Sequence, residues 1–258
     1  MYVTATPLNR LTQDTTEDIH PEYKLVWEEN FSGTQLDTTH WSKIDRLWPD
    51  WCNYMTHNDQ LYDLSRGRMR LYAKENRHIA PNDTAPYLTG GISTWHKQTF
   101  TYGKIEVRAR IKGAKGCWPA IWIKNEKTSE WAYPQRAEID ILEYYNQEDA
   151  VHFTLHSNYT DVLKRTTNPK NHIYAAIKKN KYNIYTLEIL PNKVVYSVNG
   201  QKLLTYPRLD TKEEGQYPYG TECYLLIDMQ VGNKWMKDIG VEDFPAYMDI
   251  DWVRIYSL

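Results

Sequence analysis

The clearest periodic signal lies at residues 102–112. There Ile105, Val107, Ala109 and Ile111 alternate with Lys104, Glu106, Arg108, Arg110 and Lys112. A period of two over this length predicts a strand with one buried and one wet face. Further strand-like runs are read at 24–29, 69–74, 118–124, 137–145, 151–157, 182–190, 193–198, 201–206, 222–231 and 246–256. The Asn199-Gly200 pair suits a type I′ hairpin turn, because both positions accept positive φ. Only 171–180 has helical character, and it is short. Residues 1–22 are polar, Thr-rich and aperiodic, and are read as a loosely held N-terminal arm. Residues 30–59 are irregular and aromatic-rich, and 75–86 form a turn-rich loop. Strands without intervening helices predict an all-β antiparallel sandwich or barrel. The last run ends two residues before Leu258, which would set the chain ends side by side. With no repeat, low-complexity tract or Gly/Ser linker, 23–258 reads as a single domain.

Composition narrows the partners. The 258 residues carry 31 Lys plus Arg against 33 Asp plus Glu, a formal charge of -2. No basic excess exists to attract nucleic acid or anionic lipid. Mean hydropathy is -0.71, and no apolar run is long enough for a membrane-spanning helix. Residues 1–20 lack the apolar core of a signal peptide, so none is expected within this sequence. Three cysteines at wide spacing (Cys52, Cys117, Cys223) form neither a disulfide framework nor a zinc ligand set. The informative skew is 21 Tyr and 10 Trp against 4 Phe. Tyr and Trp join an apolar ring to a polar handle, which suits rings shown to solvent or to a polar ligand.

The strongest chemical constellation is Glu138-Ile-Asp-Ile-Leu-Glu143. Glu138 and Asp140 share a strand face, whereas Glu143 falls on the other face of a regular strand. One extra residue at Ile141–Leu142, a β-bulge, would return Glu143 to its partners. Paired carboxyls leaning together at about 5–5.5 Å are what a retaining glycosidase needs. The competing reading is three acids on a wet face, relieved by charges across the ladder. Neighbouring Trp118, Trp122, Trp131, Tyr144 and Tyr145 argue against it, since saccharides stack on such rings. His152 and His156 flank a strand-like run, about 13 Å apart when extended, too far to share a metal. One of them, His156, is expected to face the carboxylates and touch substrate; a satisfied core histidine is the alternative. No GxGxxG, P-loop or GxSxG pattern occurs.

With these residues in hand, the chain resembles glycoside hydrolase family 16, whose signature E-x-D-x-x-E is met in its bulged form by 138–143. Leu25-Val-Trp-Glu-Glu-Asn-Phe-Ser-Gly33 with Asp37 and Trp41 is similar to the family's opening strand and turn. Tyr102-Gly-Lys-Ile-Glu-Val-Arg108 and Gly116-Cys-Trp-Pro-Ala-Ile-Trp122 are similar to the strands before the active-site strand. Phe244-Pro and Met248-Asp-Ile-Asp-Trp-Val-Arg-Ile-Tyr256 are similar to its closing strand. The resemblance implies a β-jelly-roll sandwich of two antiparallel sheets with a concave substrate cleft. It implies Glu138 as nucleophile, Glu143 as general acid/base and Asp140 as their hydrogen-bonding neighbour. Sugar-stacking rings are expected among Trp118, Trp122, Trp131, Trp235, Trp51 and Trp95, with Trp27 and Trp252 as core rings instead.

No cofactor is required by that chemistry. The resemblance also implies a structural calcium ion between the first and last strands, on Glu29 and Asp249 or Asp251. Two departures stand out: Arg136-Ala137 before the first glutamate, and Gly232-Asn-Lys-Trp235 where many β-1,3-glucanases read Gly-Gly-x-Trp. Blocks at 50–55 and 205–229 are similar to a branch that includes endo-acting enzymes on galactose-containing host glycans. The expectation is therefore a secreted, periplasmic or cell-surface, monomeric, retaining endo-β-glycosidase on a galactose-containing glycan, mucin-type or keratan-like. The alternatives are an endo-β-1,3(4)-glucanase and a noncatalytic carbohydrate-binding jelly roll. The intact acid triplet separates catalysis from mere binding.

Overall fold

The computed structural model describes residues 21–127 and 132–258. The predicted N-terminal arm lies almost wholly outside the described residues, and Trp131 lies outside them too. Sixteen strands are seen among the described residues. They are β1 (Lys24–Glu29), β2 (Ser42–Lys43), β3 (Tyr62–Ser65), β4 (Arg68–Glu75), β5 (Tyr87–Thr89), β6 (Gly91–Ser93), β7 (Gly103–Lys112) and β8 (Ala120–Asn125). They continue as β9 (Glu138–Glu143), β10 (Ala150–His156), β11 (His172–Ala176), β12 (Asn183–Ile189), β13 (Lys193–Val198), β14 (Gln201–Pro207), β15 (Cys223–Asp228) and β16 (Ala246–Ser257).

They form two antiparallel sheets, a jelly-roll sandwich. One sheet runs β14-β13-β12-β7-β16-β4-β3, with β1 on β16 and β5 on β4. The other runs β11-β10-β9-β8-β15-β6-β2. Alternation drives the packing. Ile105, Val107, Ala109 and Ile111 of β7 face inward against Ile121, Ile139, Phe153, Leu155, Leu225 and Ile227 of the opposite sheet. The first and last described strands pair, with Lys24 opposite Ser257. Asn199 and Gly200 turn the β13–β14 hairpin with φ of 51° and 79°. No helix among the described residues is long and apolar enough to cross a membrane.

Several expectations need correction. The segment at 171–180 is not helical; His172–Ala176 is an edge strand whose residues alternate between exposed and half-buried. Trp27 is half-buried and packs against the core as expected, whereas Trp252 is half-buried without joining it, and among the described residues the fully buried tryptophan is Trp41. The carboxylates named for calcium do not fit that ion. Glu29 accepts the Phe31 amide and the Trp41 indole. Asp249 is wholly buried among Arg68, Arg70 and Arg110, and Asp251 pairs with Arg108. Guanidinium charges already face Asp249 and Asp251, and Glu29 is taken up by an amide and an indole.

Candidate active site

The site grows from the register of four strands. On β9, Glu138 pairs with His156, Asp140 with Thr154 and Glu143 with His152. On the other side the same three pair with Lys124, Trp122 and Ala120, and these with Tyr224, Leu226 and Asp228. Between Asp140 and Glu143 the neighbours each advance two residues while β9 advances three. That is a β-bulge at Ile141–Leu142, where the sequence placed it. Ile139, Ile141 and Leu142 all pack in the core. The two adjacent inward residues leave Glu138, Asp140 and Glu143 together on the outer face.

A cavity of about 360 Å³ opens over this row. Its lining includes Trp51, Trp118, Trp122, the three acids, Tyr145, Thr154, His156, Gln230 and Trp235. Ala120 lies between Glu143 and Asp228, and its short side chain leaves the floor open there. Trp118 and Trp235 stand 5.2 Å apart, and Tyr145 is 5.4 Å from Trp235, so three rings form a polar-edged wall. Trp235 is 62% exposed, as a ring awaiting a ligand would be.

The two glutamates differ in surroundings. Glu143 is nearly buried, and burial together with the charge of Asp140 pushes its pKa up to about 7. The Trp118 indole, donating to Oε1 at 2.8 Å, and the Tyr145 hydroxyl oppose that rise. Glu138 instead receives a guanidinium hydrogen bond from Arg136, and His156 Nε2 lies 4.0 Å from its other oxygen. His156 also reaches Asp140 at 3.1 Å and Asp161 at 3.0 Å. Burial works against its charge. Hydrogen bonds to Asp140 and Asp161, with the charges of Asp140 and Glu138, outweigh it and raise the imidazole to about 11. Burial raises Asp140, against the pull of His156.

The arrangement therefore offers one carboxyl beside fixed positive charge and one poised to hold a proton near neutrality, the division acid–base chemistry needs. Glu138, Asp140 and His156 are also the one group among the described residues whose potential metal-ligand atoms fall within 4.8 Å of one another. Arg136 places a permanent positive charge there, which opposes a cation.

Of the predicted contacts, Trp51, Trp118, Trp122, Trp235 and His156 line the cavity. Trp122 does so as floor rather than platform. It is 5% exposed, lies 5.0 Å edge-on to Trp51, and packs in a second apolar cluster with Ile44, Cys52, Met55 and Leu226. Trp95 is not in the cavity lining; it stacks on His96 at 4.4 Å. Sequence reading missed Thr154, Gln230 and Asp228. Strand alternation through Thr154 and His156, and through Asp228 and Gln230, carries the signal for them. It also missed Arg136, two positions before Glu138, and Asp161, five positions after His156, as partners.

Residues 50–254 match Glycosyl hydrolases family 16. The chain is 32% identical to a keratan-sulfate endo-1,4-beta-galactosidase of Sphingobacterium multivorum. That alignment covers 97% of this chain and 58% of that protein, so the chain spans little more than half the relative's length. It is 29% identical to a beta-glucanase of Rhodothermus marinus, over 93% of this chain and 87% of the other. The laminarinase structure from Flavobacterium sp. UMI-01 superposes with a TM-score of 0.75 at 27% identity. It covers 91% of this chain and 100% of that one.

Proposed function

The chain belongs to glycosyl hydrolase family 16, and from that premise we propose that it is a retaining endo-β-glycosidase of galactose-containing glycans. The observation that carries the reading is the bulge. It sets Glu138 and Glu143 on one face in environments of opposite character. Glu138, beside Arg136 and His156, attacks the anomeric carbon. Glu143 delivers its proton to the departing glycosidic oxygen, and the bond from that oxygen to the anomeric carbon breaks. The covalent glycosyl-enzyme is then hydrolysed by a water whose proton returns to Glu143 while Glu138 leaves. Asp140, between them, holds the charge pattern through His156. Trp118, Trp235 and Tyr145 supply faces for sugar stacking, and Trp51 closes one side.

An internal cut fits a cleft open on a sheet face, and a polymeric substrate implies action outside the cytoplasm. Residues 23–258 serve as one catalytic domain. The galactoside preference is supported by the 32% identical relative and by Gly232-Asn-Lys-Trp235 at the cleft rim. A second reading, an endo-β-1,3(4)-glucanase, is favoured by the beta-glucanase relative and the laminarinase structure.

The test pairs two measurements. Product sizing on laminarin, lichenan, keratan and mucin glycans names the sugar. Glu138→Ala is expected to lose about 1,000-fold or more in turnover, with azide restoring activity and giving the inverted anomer. Near-normal turnover by Glu138→Ala refutes the assignment. Short glucose oligomers from laminarin, with galactose-containing glycans uncut, would move the substrate to the second reading.

A further inference from the structure

The cavity has a polar wall that the double displacement leaves unused. Gln230 is 2% exposed, lines the cavity, and accepts the Trp118 backbone amide on its own carbonyl at 2.8 Å. The sense of its side-chain amide is fixed from below. Asp228, fully buried, accepts the Trp122 indole on Oδ2 at 2.8 Å and Gln230 Nε2 on Oδ1 at 2.7 Å. Burial raises Asp228 to about 7 against the hydrogen bonds from Trp122 and Gln230, and in its ionised form it offers acceptors alone, which sets the NH₂ of Gln230 toward it. That leaves Gln230 Oε1, buried and without a hydrogen-bond partner. Buried acceptors are rarely left unpaired, and one in a cavity wall asks for a donor from outside. Its support, Asp228, lies in the same register row as Glu143, with only the methyl group of Ala120 between them.

We propose that Gln230 is a specificity-determining residue whose Oε1 accepts a hydrogen bond from the sugar bound beside Glu143. The donor is either a hydroxyl or the N–H of an acetamido group. This rests on the glycosidase reading above. Trp122 and Asp228 act as positioning residues that hold the amide in one sense. A site built to receive a hydrogen bond discriminates strongly against a sugar that cannot give one, because its own buried atom then stays unpaired.

Two variants and one substrate series test this, with kcat/KM read on laminarin, lichenan and an N-acetyllactosamine glycan. Gln230→Leu is expected to lose roughly 10- to 100-fold on whichever polymer the wild type cuts. Asp228→Asn separates the two donors. Its oxygen must serve the Trp122 indole, so its NH₂ faces Gln230 and the glutamine amide turns over, showing Nε2 to the sugar. An acetamido N–H cannot answer that reversal, and the loss matches Gln230→Leu. A hydroxyl can accept as well as donate, and most activity remains.

Should Gln230→Leu not fold, the wild type on oligosaccharides with single deoxy or N-methyl replacements gives the answer. No position costing more than twofold overturns the proposal. Wild-type cleavage with Gln230→Leu within twofold overturns the proposal alone. A wild-type protein that cuts none of these glycans overturns the glycosidase reading and this proposal with it.

Discussion

Trp118→Phe isolates the electrostatics of the acid/base from sugar stacking. The substitution keeps an aromatic ring in the cleft wall but deletes the N–H that donates to Glu143 Oε1 at 2.8 Å. Glu143 stands at about 7 because burial and Asp140 raise it while Trp118 and Tyr145 hold it down. A buried hydrogen bond to an ionised group is worth about 1.5–3 kcal/mol, and about 1.4 kcal/mol corresponds to one pH unit. Losing the indole should therefore move the basic limb of kcat/KM upward by about one to two pH units. Tyr145 remains to share the charge, which favours the lower figure. The sign follows from the role: Glu143 must be protonated to release the leaving oxygen, so a higher pKa extends activity toward alkaline pH. Lost stacking lowers the height of the profile without moving its limb. The assay is kcat/KM against pH for both proteins on one polymer. A limb that stays in place, or moves toward acid, refutes the reasoning.

Two further outcomes follow from the structure. Trp235→Ala should raise KM roughly tenfold, from about 1–1.5 kcal/mol of lost stacking. Its melting temperature should stay close to wild type, since the ring is largely exposed; a large fall in melting temperature would mark it as core. Asp249→Ala leaves Arg68, Arg70 and Arg110 facing one another without their shared counter-charge, a loss of about 3–5 kcal/mol and on the order of 10 °C in melting temperature. Asp249 is held below its ordinary value by hydrogen bonds and charges from arginines that outweigh its burial. Its contribution is thus present above the unfolded carboxylate range and lost as pH falls through its folded value. Calorimetry should show the variant and wild type converging in strong acid, and an equal gap at all pH values would refute the ion-pair account.

Much of this molecule is legible in the chain because alternation is local. The β7 pattern, the 193–198 and 201–206 hairpin and the position of the bulge need only neighbouring residues. Short strands escape for the same reason. Gly91–Ser93 and Ser42–Lys43 carry too few residues to show a period and are strands because β15 and each other complete them. The hairpin at Arg66 and Gly67 turns with φ of 56° and 65°, yet arginine in its first position hides it from turn chemistry. At the site, the acids are readable, as is the placing of Trp51, Trp118 and Trp235, whereas the burial of Trp122 is not. Trp122 and Trp118 alternate correctly onto the outer face. What covers Trp122 is a loop some seventy residues earlier in the chain, carrying Ile44, Trp51 and Met55. Trp41 is buried by Phe31 and Trp27, ten and fourteen residues earlier, through a turn that no strand period reveals.

The bulge at Ile141–Leu142 has a genetic corollary. A one-residue deletion within a β-strand ordinarily sends everything beyond it to the opposite face. Here β9 already holds one residue more than either neighbour between Asp140 and Glu143, and both extra-step residues point inward. Loss of the codon for Ile141 or Leu142 would turn the strand regular while leaving each carboxylate opposite its present partners. Loss of the codon for Ile139 would strand Glu138 in the core. The same lesion is thus tolerable at two adjacent codons and ruinous two codons upstream. A deletion scan across 137–144 should show a narrow window of surviving alleles centred on the bulge.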